Sequence, residues 1–75
     1  MFILCQGKTI ILNLNNVSTI AINDAGNNRE IYAKCNNDDC VNIGKYRTRV
    51  RAEEVLQEIK KAICENVVMF EMPEV

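Results

Sequence analysis

The stretch TRVRAEEVLQEIKKAICEN, residues 48 to 66, restricts the fold more than any other part of the chain. Its apolar residues Ala52, Val55, Leu56, Ile59, Ala62 and Ile63 recur at i, i+3, i+4 and i+7. At the α-helical pitch they fill an arc of about 120°, the stripe of a helix with one buried face. Thr48 stands ahead of the run as an N-cap whose hydroxyl takes an unpaired first-turn amide. Asn66, tolerant of left-handed backbone, is the natural stop. A lone helix of this length is marginal in water, so the stripe must lie on another element.

The residues ahead of it supply that element. Segments 2 to 5, 9 to 14, 17 to 22, 29 to 35 and 40 to 46 are rich in Ile, Val, Leu and Tyr and read as short strands. They are divided by QGK at 6 to 8, NN at 15 and 16, NDAGNN at 23 to 28 and NNDD at 36 to 39. Asn, Asp and Gly accept the positive φ of tight turns, which gives each break a mechanism. Connections this short force neighbouring strands to be antiparallel, since a parallel crossover needs a dozen residues or more. The simplest topology is a five-stranded antiparallel meander with the helix on one face, an α+β fold.

Ile31, Ala33 and Cys35 share one strand face, as do Ile20 with Ile22 and Val41 with Ile43. Val17 falls out of step with Ile20 and Ile22, the mark of a bulge or a strand start. Ile11 sits on the polar side of its own strand. With 75 residues the chain makes a single domain, 1 to 75, whose core is small. An apolar share of 48 % beside 25 % charge argues for a packed chain over a disordered one.

Two segments are candidates for contact with a partner. After the helix, VVMFEMPEV is too apolar for a free tail on so small a protein. Val68, Met69, Phe70 and Met72 either add a strand to the sheet edge or dock on a second copy of the chain, and the second option makes a homodimer. Before the helix, Lys45, Arg47, Arg49 and Arg51 alternate. Kept extended they would line one face and track phosphates, with Tyr46, Tyr32, Lys34 and Arg29 as surround. Wound into a helix from Thr48, Arg49 and Arg51 diverge by about 200° and the row becomes a solvated shoulder. Pairs from Arg49 to Glu53 and from Arg51 to Glu54 then offset the unfavourable helix dipole. A net charge of -1 gives no overall attraction to nucleic acid or anionic membrane, which favours the shoulder.

The remaining residues point away from chemistry. There is no histidine, so the usual neutral-pH base and commonest metal ligand are missing. The cysteines, Cys5, Cys35, Cys40 and Cys64, lack the close pairing of a zinc site. Cys35 and Cys40 alone are near enough in sequence to face each other across a hairpin. Cys5 and Cys35, in step with Ile3 and Ile31, read as small core residues, and Cys64 falls off the helix stripe. NNDD lacks the spacing of a calcium loop, and QGK and DAG lack that of a phosphate loop. No apolar run reaches membrane length and the start carries no signal-peptide pattern, so the expectation is a cytoplasmic protein without metal, cofactor or small-molecule substrate.

MFILCQGKTI, LNLNNVSTIAI, IGKYRTRVRAEEVLQEIKKAI and MFEMP together resemble a group of small uncharacterised proteins of low-GC Gram-positive bacteria, their phages and mobile elements. The matching positions are Met1, Phe2, Gln6, Asn13, Gly44, Tyr46, Thr48, Ala52, Glu54, Val55, Leu56, Phe70, Met72 and Pro73. The resemblance implies a meander-plus-helix fold and no catalytic or binding residues. That group is acidic after the threonine, whereas Arg49 and Arg51 are basic here. The expected role is a non-catalytic, self-associating interaction protein; the alternative is a nucleic-acid-binding module.

Overall fold

A computed structural model describes residues 1–75. Its strands are β1 (Phe2–Leu4), β2 (Ile11–Asn13), β3 (Val17–Ala25), β4 (Asn28–Cys35), β5 (Cys40–Tyr46) and β6 (Met69–Glu71); the helix is α1 (Arg49–Cys64). The fold is α+β. The strands form two three-stranded sheets, ordered β2-β1-β6 and β3-β4-β5, in place of one five-stranded meander. The division falls at Leu14–Asn16, which wind into a 3-10 turn. Asn13 caps that turn, its side-chain oxygen accepting from the Asn15 amide at 3.0 Å. The chain therefore leaves β2 in a new direction and β3 cannot pair with it.

In the larger sheet, β3 runs on to Ala25 through residues whose composition reads as loop. Asn23 and Asp24 stay paired with Glu30 and Arg29, and only Gly26 and Asn27 make the turn. Gly26 has φ 60°. Positive φ at the first of two turn residues is the II′ pattern, whose twist suits the strands it joins. A register shift between Val17 and Thr19 is the bulge that Val17 signals in the sequence, and a second lies opposite Ile31 and Tyr32.

The inner face of β3-β4-β5 receives α1. Thr48 caps the helix, its hydroxyl accepting from the Arg51 amide at 3.1 Å. At the far end Asn66 takes φ 56°. Its amide donates to Ile63 at 3.2 Å and that of Val67 to Ala62 at 3.1 Å, the paired bonds of a Schellman stop. Ala52, Val55 and Ile59 are buried in one cluster with Ile31, Ala33, Ile43 and Ile3, and Ala62 is buried beyond them. Each large aliphatic side chain among them contributes roughly 1.5–3 kcal/mol.

Two residues bind the sheets together. Gln6, just beyond β1, lies along the outer edge of β5: its amide donates to Ile43 at 2.9 Å. Its side-chain amide then pairs with the Lys45 backbone, donating at 3.0 Å and accepting at 2.8 Å, and also donates to the Glu74 carbonyl at 2.8 Å. Gly44 allows the other approach. A Cβ there would stand 2.9 Å from the Met72 methyl and 2.9 Å from the Tyr46 ring, so any larger residue must displace one of them.

Candidate functional site

The small sheet carries the most distinctive surface. Strand alternation and its register (Phe2 beside Asn13 and Met69, Leu4 beside Ile11 and Glu71) put Phe2, Leu4, Ile11 and Met69 on one face. Ile3, Leu12 and Phe70 turn the other way and pack on the core. The outward group has no layer above it: Ile11 is 59 % exposed, Met69 41 % and Phe2 40 %, with Val68 and Ile10 exposed beside them. Apolar residues clustered on one open face are the ordinary sign of a contact surface.

This arrangement corrects part of the candidate tail. The segment pairs within its own chain, as β6 running parallel to β1. Phe2 donates to the Val68 carbonyl at 2.8 Å and Met72 to that of Leu4 at 3.0 Å. Alternation along β6 then turns Phe70 and Met72 inward. Met72 is 3 % exposed and belongs to the core, and Phe70 is half-buried against it. Val68 and Met69 alone of the four remain open to a partner. Phe2 and Ile11 complete the surface; the sequence offered one sign of it, the apolar Ile11 on an otherwise polar strand face.

The basic row breaks up. Lys45 ends on β5 and Arg49 begins α1, while Arg47 lies between them. Lys45 approaches Glu30 at 3.8 Å and Arg49 approaches Asp24 at 3.4 Å. Arg51 meets Glu54 at 3.3 Å and Glu58 at 3.5 Å, and its Nε donates to the Val75 carbonyl at 3.1 Å. The Arg51–Glu54 pair is the one the spacing predicts, whereas Arg49 takes Asp24 in place of Glu53. Asp24 also holds Arg29 at 3.0 Å, and as an anion beside the helix start it offsets the dipole there. Of these four, only Arg47 lacks a carboxylate within ion-pairing distance. Four cations aligned over a groove are not found.

The thiols are dispersed. Lys34, not Cys35, lies opposite Cys40, because the turn between β4 and β5 contains Asp38 at φ 71° and adds a residue to one side. Cys35 is half-buried, Cys40 and Cys64 are exposed, and Cys5 is in the core, where burial pushes its thiol pKa up. An Asn-rich cleft of about 400 Å³ lies where the two sheets meet, lined among others by Asn13, Asn36, Asn37 and Asp39. Three of its asparagines are engaged: Asn13 accepts from Asn15, Asn36 donates to the Asn15 carbonyl, and Asn37 meets Asp39 through both its oxygen and its amide. Tyr46 is buried at 2 % exposure, and its hydroxyl donates to the Pro73 carbonyl at 2.8 Å. Desolvation pushes its pKa up to about 12, against a lowering influence of Arg51 and with a small rise from Glu58.

Comparison with family models, curated proteins and solved structures gives no match to this chain. No helix is long and apolar enough to cross a membrane.

Proposed function

We propose that the protein is a non-catalytic interaction module that self-associates through the outer face of its small sheet. The observation that carries this reading is the uncovered group Phe2, Ile11 and Met69 on one face of the small sheet. A core of this size gains from covering such a face, and a second copy is always at hand to do it. Catalysis has little support: the chain has no histidine, and burial moves the Cys5 thiol away from the thiolate that nucleophilic chemistry requires. Nucleic-acid binding is disfavoured by the carboxylates already set against Lys45, Arg49 and Arg51. The reading places the protein in the cytoplasm, where its four thiols stay reduced. The resembled phage and mobile-element group supplies the setting in which a small self-associating partner protein would act.

Sedimentation over a range of concentrations tests it. The mass should rise with concentration, and Ile11→Thr with Met69→Thr, which keep strand propensity while removing apolar surface, should lower it at matched concentration. A single monomer mass throughout would end the reading, and so would salt-dependent capture of DNA or RNA with no self-association.

A further inference from the structure

We infer that β3 is a second, two-fold seam, at which two copies of the chain pair their β3 strands antiparallel and bring their helices together above the joint. The inference rests on the reading that the chain self-associates but uses none of the small-sheet residues.

The two edges of the larger sheet differ. The outer edge of β5 is occupied by Gln6, through backbone and side chain. The outer edge of β3 has no strand beside it. Strands left unpaired in folded proteins are commonly short, bulged, proline-bearing or charged. Here β3 is 9 residues long, its bulge lies at the start, and Thr19 to Asn23 contain neither charge nor proline. Ala25 and Asn28 close a two-residue turn, so theirs is a hydrogen-bonded pair and the pairing alternates from there. Ile20 and Ile22 therefore direct their N–H and C=O groups away from β4.

The side chains of Ile20 and Ile22 lie on the helix side of the sheet, packed against the core. A groove of about 340 Å³ opens there, lined by Ile20, Leu56, Ile59 and Ile63 with Gln57 and Lys60 at its margin. Ile63 is 45 % exposed although it belongs to the apolar stripe. The occupant is a second copy because the surface is complementary to itself. With the axis at Ala21, Ile20 of each strand meets Ile22 of the other, an isologous contact. The helices then run antiparallel across the axis. Lys60 borders the groove and Glu53 stands seven residues before it, about two turns along the same helix face; neither has an ion-pair partner within its own chain. Ile20 borders the helix near Lys60, and Asp24 holds Arg49 at its start. The axis at Ala21 thus falls between Glu53 and Lys60, and each glutamate is brought toward the other copy's lysine.

Amide exchange at dilute and high protein concentration reads the seam directly. The Ile20 and Ile22 amides should slow by at least about tenfold at high concentration, as newly bonded groups do, while core amides of β4 stay unchanged. Ile63→Lys, at a site already half open to water, should abolish that slowing. Lys60→Glu should weaken it, and adding Glu53→Lys should restore it, a rescue that a mere folding defect would not show. Concentration-independent exchange at Ile20 and Ile22, or full slowing in Ile63→Lys, overturns the seam. If the chain still associates in either case, the small-sheet reading stands. If slowing persists in the Ile11→Thr, Met69→Thr variant while its mass matches that of the unsubstituted chain, the seam stands and the small-sheet reading falls. A monomer at every concentration ends both.

Discussion

Tyr46 shows how one side chain can be fixed from several directions. Its ring lies against Gly44, its hydroxyl holds the Pro73 carbonyl, and its pKa is pushed up to about 12 by burial. Against an unfolded value near 10, the folded state holds its proton more tightly. The stability at stake is fully present below about pH 10 and is lost as pH rises toward 12, to a total of about 3 kcal/mol. Alkaline titration followed by circular dichroism should therefore show the chain weakening across that window, and Tyr46→Phe should flatten the curve. Gly44→Ala tests the same contact sterically. Its Cβ meets atoms at 2.9 Å, so chemical denaturation should report a loss of about 1–3 kcal/mol as Met72 and Tyr46 are pushed apart. Gln6→Ala should cost about 1–3 kcal/mol, because it leaves the Lys45 backbone groups unmet and frees the segment after β6.

At the scale of elements, α1 is set by its own ends. Thr48→Ala should cost about 1 kcal/mol in thermal or chemical unfolding. Asn66→Ala should cost a similar amount, roughly 1 kcal/mol, because alanine at φ 56° meets the left-handed penalty, and Asn66→Gly should not. The helix was legible because period, cap and stop agree in the sequence. The smaller sheet was not. β1, β2 and β6 are 3 residues each, too short for alternation to assign a partner. The parallel pairing of β1 with β6 joins the two ends of the chain, a contact that local pattern cannot contain. Asn23 and Asp24 misled for a related reason: their loop-like composition is overridden by cross-strand partners, Arg29 above all.

For the whole molecule, the two proposed contacts are apolar and differ in their response to salt. Association through Phe2, Ile11 and Met69 should be almost unchanged by ionic strength, whereas the β3 seam should loosen somewhat as Glu53 and Lys60 are screened. Sedimentation of the Ile11→Thr, Met69→Thr variant at low and high salt isolates the second effect. Two separate seams on one chain give assemblies larger than a dimer, and removing the small-sheet contact should leave dimers held by the two-fold β3 seam. The candidate residues divided on the same tertiary ground. Val68 and Met69 stay outside while Phe70 and Met72 go in, and the cations of the shoulder find carboxylates that the spacing alone does not supply.

The sequence alone determined what local forces decide: the helix with its cap and stop, the existence of short antiparallel strands, and the absence of histidine chemistry. Periodicity and turn propensity act between near neighbours, so they are written in the order of residues. Which strand lies beside which, which end of an apolar segment is buried, and which edge remains open were decided by tertiary structure. Those outcomes depend on the packing of segments as distant as Phe2 and Met69, where burial of a shared core outweighs local preference.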